Sequence, residues 1–318
     1  MIVTIGEILV DLIGTQEGEA LSFQRFAGGA PFNVVCAAKK MGGECGFVGC
    51  VGNDLFGNYL LNFAKEQALD YLDIRLDEDH NTTIALVQLD EHGDRSFCFH
   101  RKHTADYQIT KTQIENGVKI ADTVVLGTLM LSEKKGIEAA DCVLELVKKY
   151  DKRLCLDVNY REDVFKGRDP KSVYAKYIAA ANVLKFSEEE LERFVEGDSL
   201  FDRLKKTAGE NKLVCVSLGR KGCAYAYQGT TAILDTIEVK TVDTTGAGDA
   251  FFGCLLAQLD GKDFDRFTAN DLRELFHRAN ICGALTTTRR GAIAALPERN
   301  EVFGYRFGTI PGSKGRLH

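Results

Sequence analysis

The stretch Asp243–Asp249, with the sequence DTTGAGD, decides the fold. It stands between an extended run at 237–242 and a strongly apolar run at 250–259, an order that predicts a strand, a glycine turn and the start of a buried helix. Gly246 and Gly248 allow backbone conformations, and a close approach of a ligand, that other residues hinder. The free N–H groups in the first turn of such a helix form a binding site for an anion.

Asp249 is unexpected beside an anion site, because a carboxylate repels a bound phosphate. The conflict disappears if the anion is a phosphoryl group in transfer and Asp249 is the base that deprotonates the attacking hydroxyl. Ordinary helix capping explains the same spacing, so the stretch alone leaves both interpretations open. No lysine follows the glycines as in GxxxxGK[ST], and Phe251 stands where GxGxxG needs a glycine. Any phosphate site here therefore works without a P-loop lysine.

A second stretch agrees with the first. DTTGAGDAF resembles the C-terminal signature of the ribokinase-like (PfkB) family of carbohydrate kinases, and Gly28–Val34 (GGAPFNV) is similar to its N-terminal signature. Smaller matches extend the resemblance to about Pro297. The stretches GDRSFCFHR, DVNYR and KFSEEE, at 93–101, 157–161 and 185–190, are most similar to fructokinases.

The composition fits a globular enzyme. A chain of 318 residues with 45% hydrophobic content can build one large α/β domain with an excursion, or two modest domains. A net charge of -6 argues against nucleic acid as a partner. The apolar opening at 1–13 contains two acids and lacks a basic start, and no run is long enough to span a membrane. Ten cysteines without CxxC spacing indicate buried free thiols. We therefore expect a cytoplasmic protein without a membrane partner.

Strand and helix patterns alternate along the chain, which predicts a parallel sheet covered on both faces. Between 81 and 103 the alternation of strands and helices is interrupted. The residues there predict a hairpin of two strands, Thr82–Leu89 and Arg95–Arg101, joined by the polar loop 90–94. The resemblance implies a single ribokinase-like α/β domain over 1–318, with a mostly parallel central sheet flanked by helices. It also implies a small β-sheet lid built from about 11–26 and 81–104. A partner's lid could cover the apolar face of this lid, so we expect a homodimer.

The resemblance also implies substrate ligands. It places the Asp11 carboxylate and the Asn33 amide on sugar hydroxyls, and it lets the sugar lie against the bare backbone of Gly28 and Gly29. Fructokinase-like sequences further place Arg101, and Arg161 near it, at the sugar. An arginine can bind the hydroxyls of a ketose or the carboxylate of a sugar acid. The rival substrate 2-keto-3-deoxygluconate therefore stays open.

Other residues are assigned to ATP and to metal ions by the same resemblance. The nucleotide site takes Ser187, Glu190, Ser217, Gly219, Gly222, Gly248 and Asn280. Glu190 organises Mg²⁺ through water; Ser187 replaces the asparagine that the family often carries, so this role rests on Glu190. A monovalent cation such as K⁺ is held near Asp243, Thr245, Thr286, Arg289 and Gly291, whereas Ala295 lacks the side-chain oxygen common in relatives.

These residues predict an ATP-dependent kinase that phosphorylates a primary hydroxyl of a small sugar, with fructose as the expected substrate. Asp249 acts as general base, and the N–H groups of Gly246, Ala247 and Gly248 stabilise the transferring phosphoryl group. The alternatives are a 2-keto-3-deoxygluconate kinase and another sugar or nucleoside kinase of the family. A catalytically silent sensor with the same fold is a further alternative, but the intact Asp249 and Asn33 argue against it.

Overall fold

Strands alternate with helices along most of the chain, as the residue pattern predicts. The computed structural model describes residues 1–17, 20–89, 95–165, 168–263, 266–305 and 316–317. The strands are β1 (Ile2–Ile5), β2 (Leu9–Glu17), β3 (Ala20–Gly28), β4 (Cys45–Gly52), β5 (Tyr71–Asp77), β6 (Ile84–Leu89), β7 (Arg95–His100), β8 (Thr123–Leu126), β9 (Arg153–Asp157), β10 (Val183–Ser187), β11 (Leu213–Ser217), β12 (Cys223–Tyr227), β13 (Thr230–Leu234) and β14 (Arg316–Leu317). The helices are α1 (Ala30–Lys40), α2 (Leu55–Glu66), α3 (Lys111–Ile120), α4 (Lys134–Lys149), α5 (Pro170–Ala180), α6 (Glu188–Phe194), α7 (Leu200–Ala208), α8 (Ala247–Leu259), α9 (Ala269–Thr286) and α10 (Arg299–Phe303).

The large sheet has the strand order β14-β13-β12-β11-β10-β9-β8-β1-β4-β5. The seven strands from β11 to β5 are parallel, and β12, β13 and β14 add antiparallel pairs at one edge. Strands β1, β4 and β8 are buried along their whole length, which suits near-continuous apolar runs covered on both faces. The predicted α/β class with a mostly parallel central sheet is confirmed.

Helices cover both faces of this sheet. Helices α1, α2, α8 and α9 pack in one apolar cluster, and α3, α4, α5 and α7 pack in a second on the opposite face. Polar side chains fix the helix starts: the Asp54 carboxylate accepts from Gly57 N–H at the start of α2, and Thr268 caps α9. Within the described part of the chain, no helix is long and apolar enough to cross a membrane.

A four-stranded sheet with the order β3-β2-β6-β7 lies beside the large sheet. Strands β2 and β3 form an antiparallel pair, β2 pairs parallel with β6, and β6 and β7 form the predicted hairpin. These strands occupy the predicted lid segments, so we call this sheet the lid. The hairpin loop 90–94 lies outside the described residues.

One predicted strand is wrong. The run 237–242 before the glycine turn has no strand structure, although its residues favour it. Strand β13 ends at Leu234, and the backbone then leaves the sheet; Val242 N–H and Asp243 N–H both donate to Thr287 O instead of to a neighbouring strand. The segment thus leads out of the sheet to the start of α8 and borders a cavity there.

Candidate active site

The carboxyl ends of the parallel strands meet at one edge of the large sheet, where open α/β folds place their ligands. The DTTGAGD turn closes this edge. The buried Asp243 carboxylate fixes the turn, because its oxygens accept from Thr245 N–H at 2.7 Å and from Gly291 N–H at 2.9 Å. Gly246 precedes α8 with a φ of 74°, and a Cβ there would lie 2.5 Å from Ala292 Cβ. Only glycine suits that position.

The first turn of α8 places free backbone N–H groups at the edge of a cavity. The first helical hydrogen bond runs from Ala250 N–H to Gly246 O at 2.8 Å, so the N–H groups before it belong to the open helix end. Ala247 N–H already contacts Thr244 O at 3.3 Å. Gly246, Ala247 and Gly248 are the three residues predicted to bind the anion. Gly246 and Gly248 border a cavity of about 370 Å³ that also contains Asp249, and Ala247 borders an adjoining cavity of about 680 Å³.

Asp249 lies in this first turn, only partly exposed. Asn33 Nδ2 of α1 donates to Asp249 Oδ2 at 2.8 Å, so the two sequence signatures meet in space. Burial, with a contribution from the Asp157 charge, raises the pKa of Asp249 to about 6, against the opposing effects of Lys185 and Asn33. A carboxyl with such a pKa is mostly ionised at neutral pH yet accepts a proton readily, as a general base must.

A buried ion pair, which the sequence analysis missed, lies next to Asp249. Lys185 Nζ of β10 donates to both carboxylate oxygens of Asp157 on β9, at 2.8 and 2.7 Å. The two residues are direct partners in the parallel register of β9 and β10. A Cβ on Gly248 would lie 3.1 Å from Lys185 Nζ, so the ammonium lies against the anion-hole backbone. The signal was available, because a lysine inside the apolar run 183–186 needs a partner.

A cavity of about 370 Å³ contains the Asp249 site, and we call it the sugar cavity. The predicted residues on its wall are Asp11, Gly29, Asn33, Arg161, Thr245, Gly246, Gly248 and Asp249. Gly28 is next to the wall, where a Cβ would collide with the Asp11 carboxylate. Other wall residues were not predicted, among them Glu7, Phe99, Leu129 and Asn159.

Glu7 is the most unusual of these wall residues. Its side chain is buried, and among the described residues Oε2 has no hydrogen-bond partner. Burial raises the pKa of Glu7 to about 8, so the carboxyl is mostly protonated at neutral pH. A buried glutamate at the end of β1 could have been suspected from the sequence, because it directly follows the buried run Ile2–Gly6.

The structure does not bring Arg101 to the wall of the sugar cavity. Arg101 borders a neighbouring cavity of about 920 Å³, and its guanidinium binds the Asp106 carboxylate and the Ser132 hydroxyl. Of the two arginines that the resemblance assigned to the sugar, only Arg161 lines the sugar cavity.

A third cavity of about 680 Å³ adjoins the sugar cavity at Gly248 and Thr244, which line both. We call it the nucleotide cavity, because Ser217, Gly219, Gly222 and Asn280 of the predicted nucleotide site line it. The Asn280 amide donates to Leu234 O at 3.1 Å and to Asp235 O at 3.4 Å, so it holds the backbone that forms the wall.

Ser187 and Glu190, both assigned to the nucleotide site, form a capping box at the start of α6. The Glu190 oxygens accept from Tyr160 N–H and from Ser187 N–H, both at 2.7 Å. Burial and the Asp157 charge raise the pKa of Glu190. Neither residue borders the sugar or the nucleotide cavity, so a contact with magnesium needs intervening water.

The predicted cation residues fall into two groups. Asp243, Thr245 and Gly291 lie together, and the buried Thr245 hydroxyl has no hydrogen-bond partner in the described ranges. Thr286 Oγ1 donates to Cys282 O within α9, and the Arg289 side chain pairs with Glu301 at 2.8 Å. Among the residues that the structure describes, no cluster of three or more His, Cys, Asp or Glu side chains could hold a metal ion.

Comparisons with known proteins identify the family of this chain. The model of the pfkB family carbohydrate kinases matches residues 1–299. Fructokinase-1 of Zea mays is 34% identical over 310 residues, which cover 95% of this chain and 96% of the maize protein. The fructokinase of Vibrio cholerae in its fructose, ADP and calcium ion bound form superimposes with a TM-score of 0.84 at 31% identity, covering 95% of this chain and 98% of that one. The fructokinase of Xylella fastidiosa with bound ATP gives 0.85 at 26% identity, covering 95% and 97%. The predicted resemblance is confirmed: this chain belongs to the pfkB family of carbohydrate kinases.

Proposed function

We propose that this protein is an ATP-dependent fructokinase that converts fructose to fructose 6-phosphate. The observation that carries the proposal is the position of Asp249. Its carboxyl lies on the wall of the sugar cavity, one residue from Gly248, where that cavity meets the nucleotide cavity. The likeness to fructokinases, including one with bound fructose and ADP, supports fructose as the sugar.

In this mechanism the sugar lies in the sugar cavity with its primary hydroxyl at Asp249. Asn33 fixes the carboxylate through Oδ2, and we assign Oδ1 to the sugar hydroxyl. As that hydroxyl attacks the γ-phosphoryl group of ATP, its proton passes to Asp249. The backbone N–H groups of Gly246 and Gly248 and the nearby Lys185 ammonium would stabilise the negative charge on the transferring group.

ATP would occupy the nucleotide cavity along the walls formed by Gly219, Gly222 and Asn280. Magnesium, when bound to the ATP phosphates, neutralises part of their charge. Glu190 would meet that ion only through water, since backbone N–H groups occupy its oxygens. The unpartnered Thr245 hydroxyl beside the Asp243 carboxylate fits a donor set for K⁺.

We also propose that residues 1–318 form one domain whose lid mediates a homodimer in the cytoplasm. Leu21 and Phe23 on β3 are 58% and 48% exposed, which leaves an apolar patch on the lid for a second copy. Eight of the ten cysteines are buried free thiols, which suits a reducing compartment. Sedimentation analysis at micromolar protein tests the dimer, and a monomeric mass would exclude it.

A coupled ADP-release assay with ATP and magnesium tests the proposed activity. Fructose, 2-keto-3-deoxygluconate, ribose, tagatose and adenosine are compared, each with and without potassium. We expect a kcat/KM for fructose at least about tenfold above the others, a difference that a few hydroxyl contacts can supply. A lack of turnover with all five acceptors would favour the silent sensor and contradict the kinase.

A further inference from the structure

Protein groups bind the guanidinium of Arg101 on several sides. Nε and Nη2 both donate to Asp106 Oδ2, at 2.8 and 2.5 Å, and Nη1 donates to the Ser132 hydroxyl. The Arg101 guanidinium carbon also lies 5.1 Å from the centre of the Tyr107 ring. Arg101 is 8% exposed and Asp106 1%. The charge of Arg101 is therefore neutralised inside the protein.

The second oxygen of Asp106 is held as well. Asp106 Oδ1 accepts from the Thr83 hydroxyl at 2.6 Å and from the Thr104 hydroxyl at 2.7 Å. Thr83 immediately precedes β6 and Thr104 follows β7, so Asp106 is fixed between the two ends of the hairpin. A carboxylate with hydrogen bonds on both oxygens keeps one position, and the arginine bound to it does the same.

The Arg101–Asp106 pair lies behind the wall of the sugar cavity. Phe99, two residues before Arg101 along the hairpin, lines that cavity. Leu129 also lines it, and Leu129 O accepts from the same Ser132 hydroxyl that Arg101 binds. Glu7, on the same wall, interacts electrostatically with both Arg101 and Asp106. The guanidinium therefore lies outside the sugar cavity, next to residues that line it.

The charges on the wall disfavour an acidic substrate. Asp11 and Asp249 place two carboxylates around a small volume, next to the mostly protonated Glu7 carboxyl. Lys185 is bonded to Asp157, and Arg161 is the arginine that borders the cavity. A substrate carboxylate would meet like charges here, and it would need a further cation at close range to bind well.

We propose that Asp106 is a positioning residue that restricts this kinase to neutral sugars. By binding the Arg101 guanidinium it withholds from the sugar cavity the cation that would recognise a substrate carboxylate. The inference rests on the proposed sugar-kinase function and deepens it, because it excludes sugar acids as a substrate class. Asp106 acts only through Arg101 and touches no substrate itself.

The test is Asp106→Asn, which removes the charge but keeps an oxygen for the two threonine hydroxyls. The assay measures kcat/KM for fructose and for 2-keto-3-deoxygluconate, the sugar-acid probe. We expect the acid-to-fructose ratio to rise at least about tenfold, mainly through a lower KM for the acid, since a hydrogen bond to a charged group is worth that factor or more. Adding Arg101→Met removes the released cation, and the ratio should return to within about threefold of wild type.

Asp77→Asn is the matched control. It breaks another Asp–Arg pair, in which the buried Asp77 carboxylate accepts from the partly exposed Arg75 at 2.6 Å, away from the sugar cavity, and it should leave the ratio unchanged. An unchanged acid-to-fructose ratio in folded, active Asp106→Asn would overturn the inference. A raised ratio that persists in the double variant with Arg101→Met would overturn it as well. If Asp106 had only a structural role, Asp106→Asn would change kcat/KM for both substrates by the same factor. The acid-to-fructose ratio would then stay unchanged, which also overturns the inference.

Wild-type enzyme gives a second test that does not depend on the folding of any variant. As a competitor of fructose, 2-keto-3-deoxygluconate should show an inhibition constant at least about tenfold above the KM of fructose. Equal or tighter binding of the acid overturns the role of Asp106 but leaves the kinase intact. Lack of turnover with every sugar would instead contradict the proposed function.

Discussion

Replacing Asp249 by asparagine should reduce turnover and increase stability together. The change keeps the size of the side chain and an oxygen for Asn33 Nδ2, and it removes the proton acceptor. Loss of a positioned general base lowers kcat by about 10²- to 10⁴-fold. The nucleotide cavity does not include Asp249, so the affinity for ATP should stay within about threefold of wild type.

The stability gain follows from the pKa of Asp249. Its rise from 3.8 to about 6 means that the folded state holds this proton more tightly than the unfolded chain. The free energy of unfolding therefore falls as pH rises from about 4 to 6, and the ionised group stays unfavourable at pH 7. About two pKa units correspond to about 3 kcal/mol. Water in the sugar cavity screens the charge, so we expect Asp249→Asn to gain about 1 to 3 kcal/mol.

Coupled ADP release measures turnover, calorimetry measures ATP binding, and urea unfolding at pH 7 and pH 4 measures stability. The gain should be present at pH 7 and shrink toward pH 4, where folded Asp249 is protonated and the unfolded aspartate is close to its own pKa of 3.8. Asp141→Asn on α4, which is remote from both cavities, is the matched control; it keeps an oxygen for the Tyr177 hydroxyl and loses only the exposed pair with Lys176, so it should leave turnover and ATP binding unchanged and stability within about 1 kcal/mol. Near-normal turnover of Asp249→Asn would refute the base assignment, and a stability loss at pH 7 would refute the account of its pKa.

Three further predictions concern residues around Asp249. Lys185→Met should move the acid limb of the kcat/KM–pH profile to higher pH, because Lys185 lowers the pKa of Asp249. Asp157→Asn should move the limb to lower pH, because Asp157 raises that pKa. Shifts of both variants in the same direction would contradict this account. Lys185→Met should also reduce kcat by at least about tenfold through lost phosphoryl stabilisation, and stopped-flow turnover with saturating ATP checks this. Gly246→Ala should lower the free energy of unfolding by more than about 2 kcal/mol, from left-handed strain plus the collision with Ala292, as read from urea denaturation. Gly261→Ala, with a φ of 67° and no atom within 4 Å of the added Cβ, is its matched control and should lose about 1 kcal/mol from strain alone; equal losses would refute the collision.

The sequence predicted the parts of the fold that depend on local pattern. The hairpin of β6 and β7 and the buried helix α8 form near their expected bounds, because alternation, turn residues and apolar runs act over a few residues. The run 237–242 shows the limit of such patterns. Its residues favour a strand, but β-structure needs a partner strand, and whether one lies alongside is decided by the rest of the chain.

The sequence could not predict which charges pair. Asn33 was assigned to the sugar and Asp249 to the base role, and only the structure shows that Asn33 Nδ2 donates to Asp249 Oδ2 at 2.8 Å. Nothing in the residues near Arg101 shows that Asp106 would bind it, since an arginine beside a hairpin can equally face solvent or substrate. That choice depends on how the ends of the hairpin pack against the segment 101–107, a tertiary arrangement.

The pairing of Lys185 with Asp157 connects the fold to the chemistry. Adjacent parallel strands bring residues 28 positions apart into direct register, and both side chains point to the edge where the ligands bind. Asp157 raises the pKa of Asp249 and Lys185 lowers it, so the pair acts on the base with opposite signs. An unpaired lysine would hold Asp249 ionised but weakly basic, and an unpaired aspartate would keep it protonated. The paired arrangement leaves the pKa near 6, where Asp249 is both ionised at neutral pH and able to accept the proton of the sugar hydroxyl.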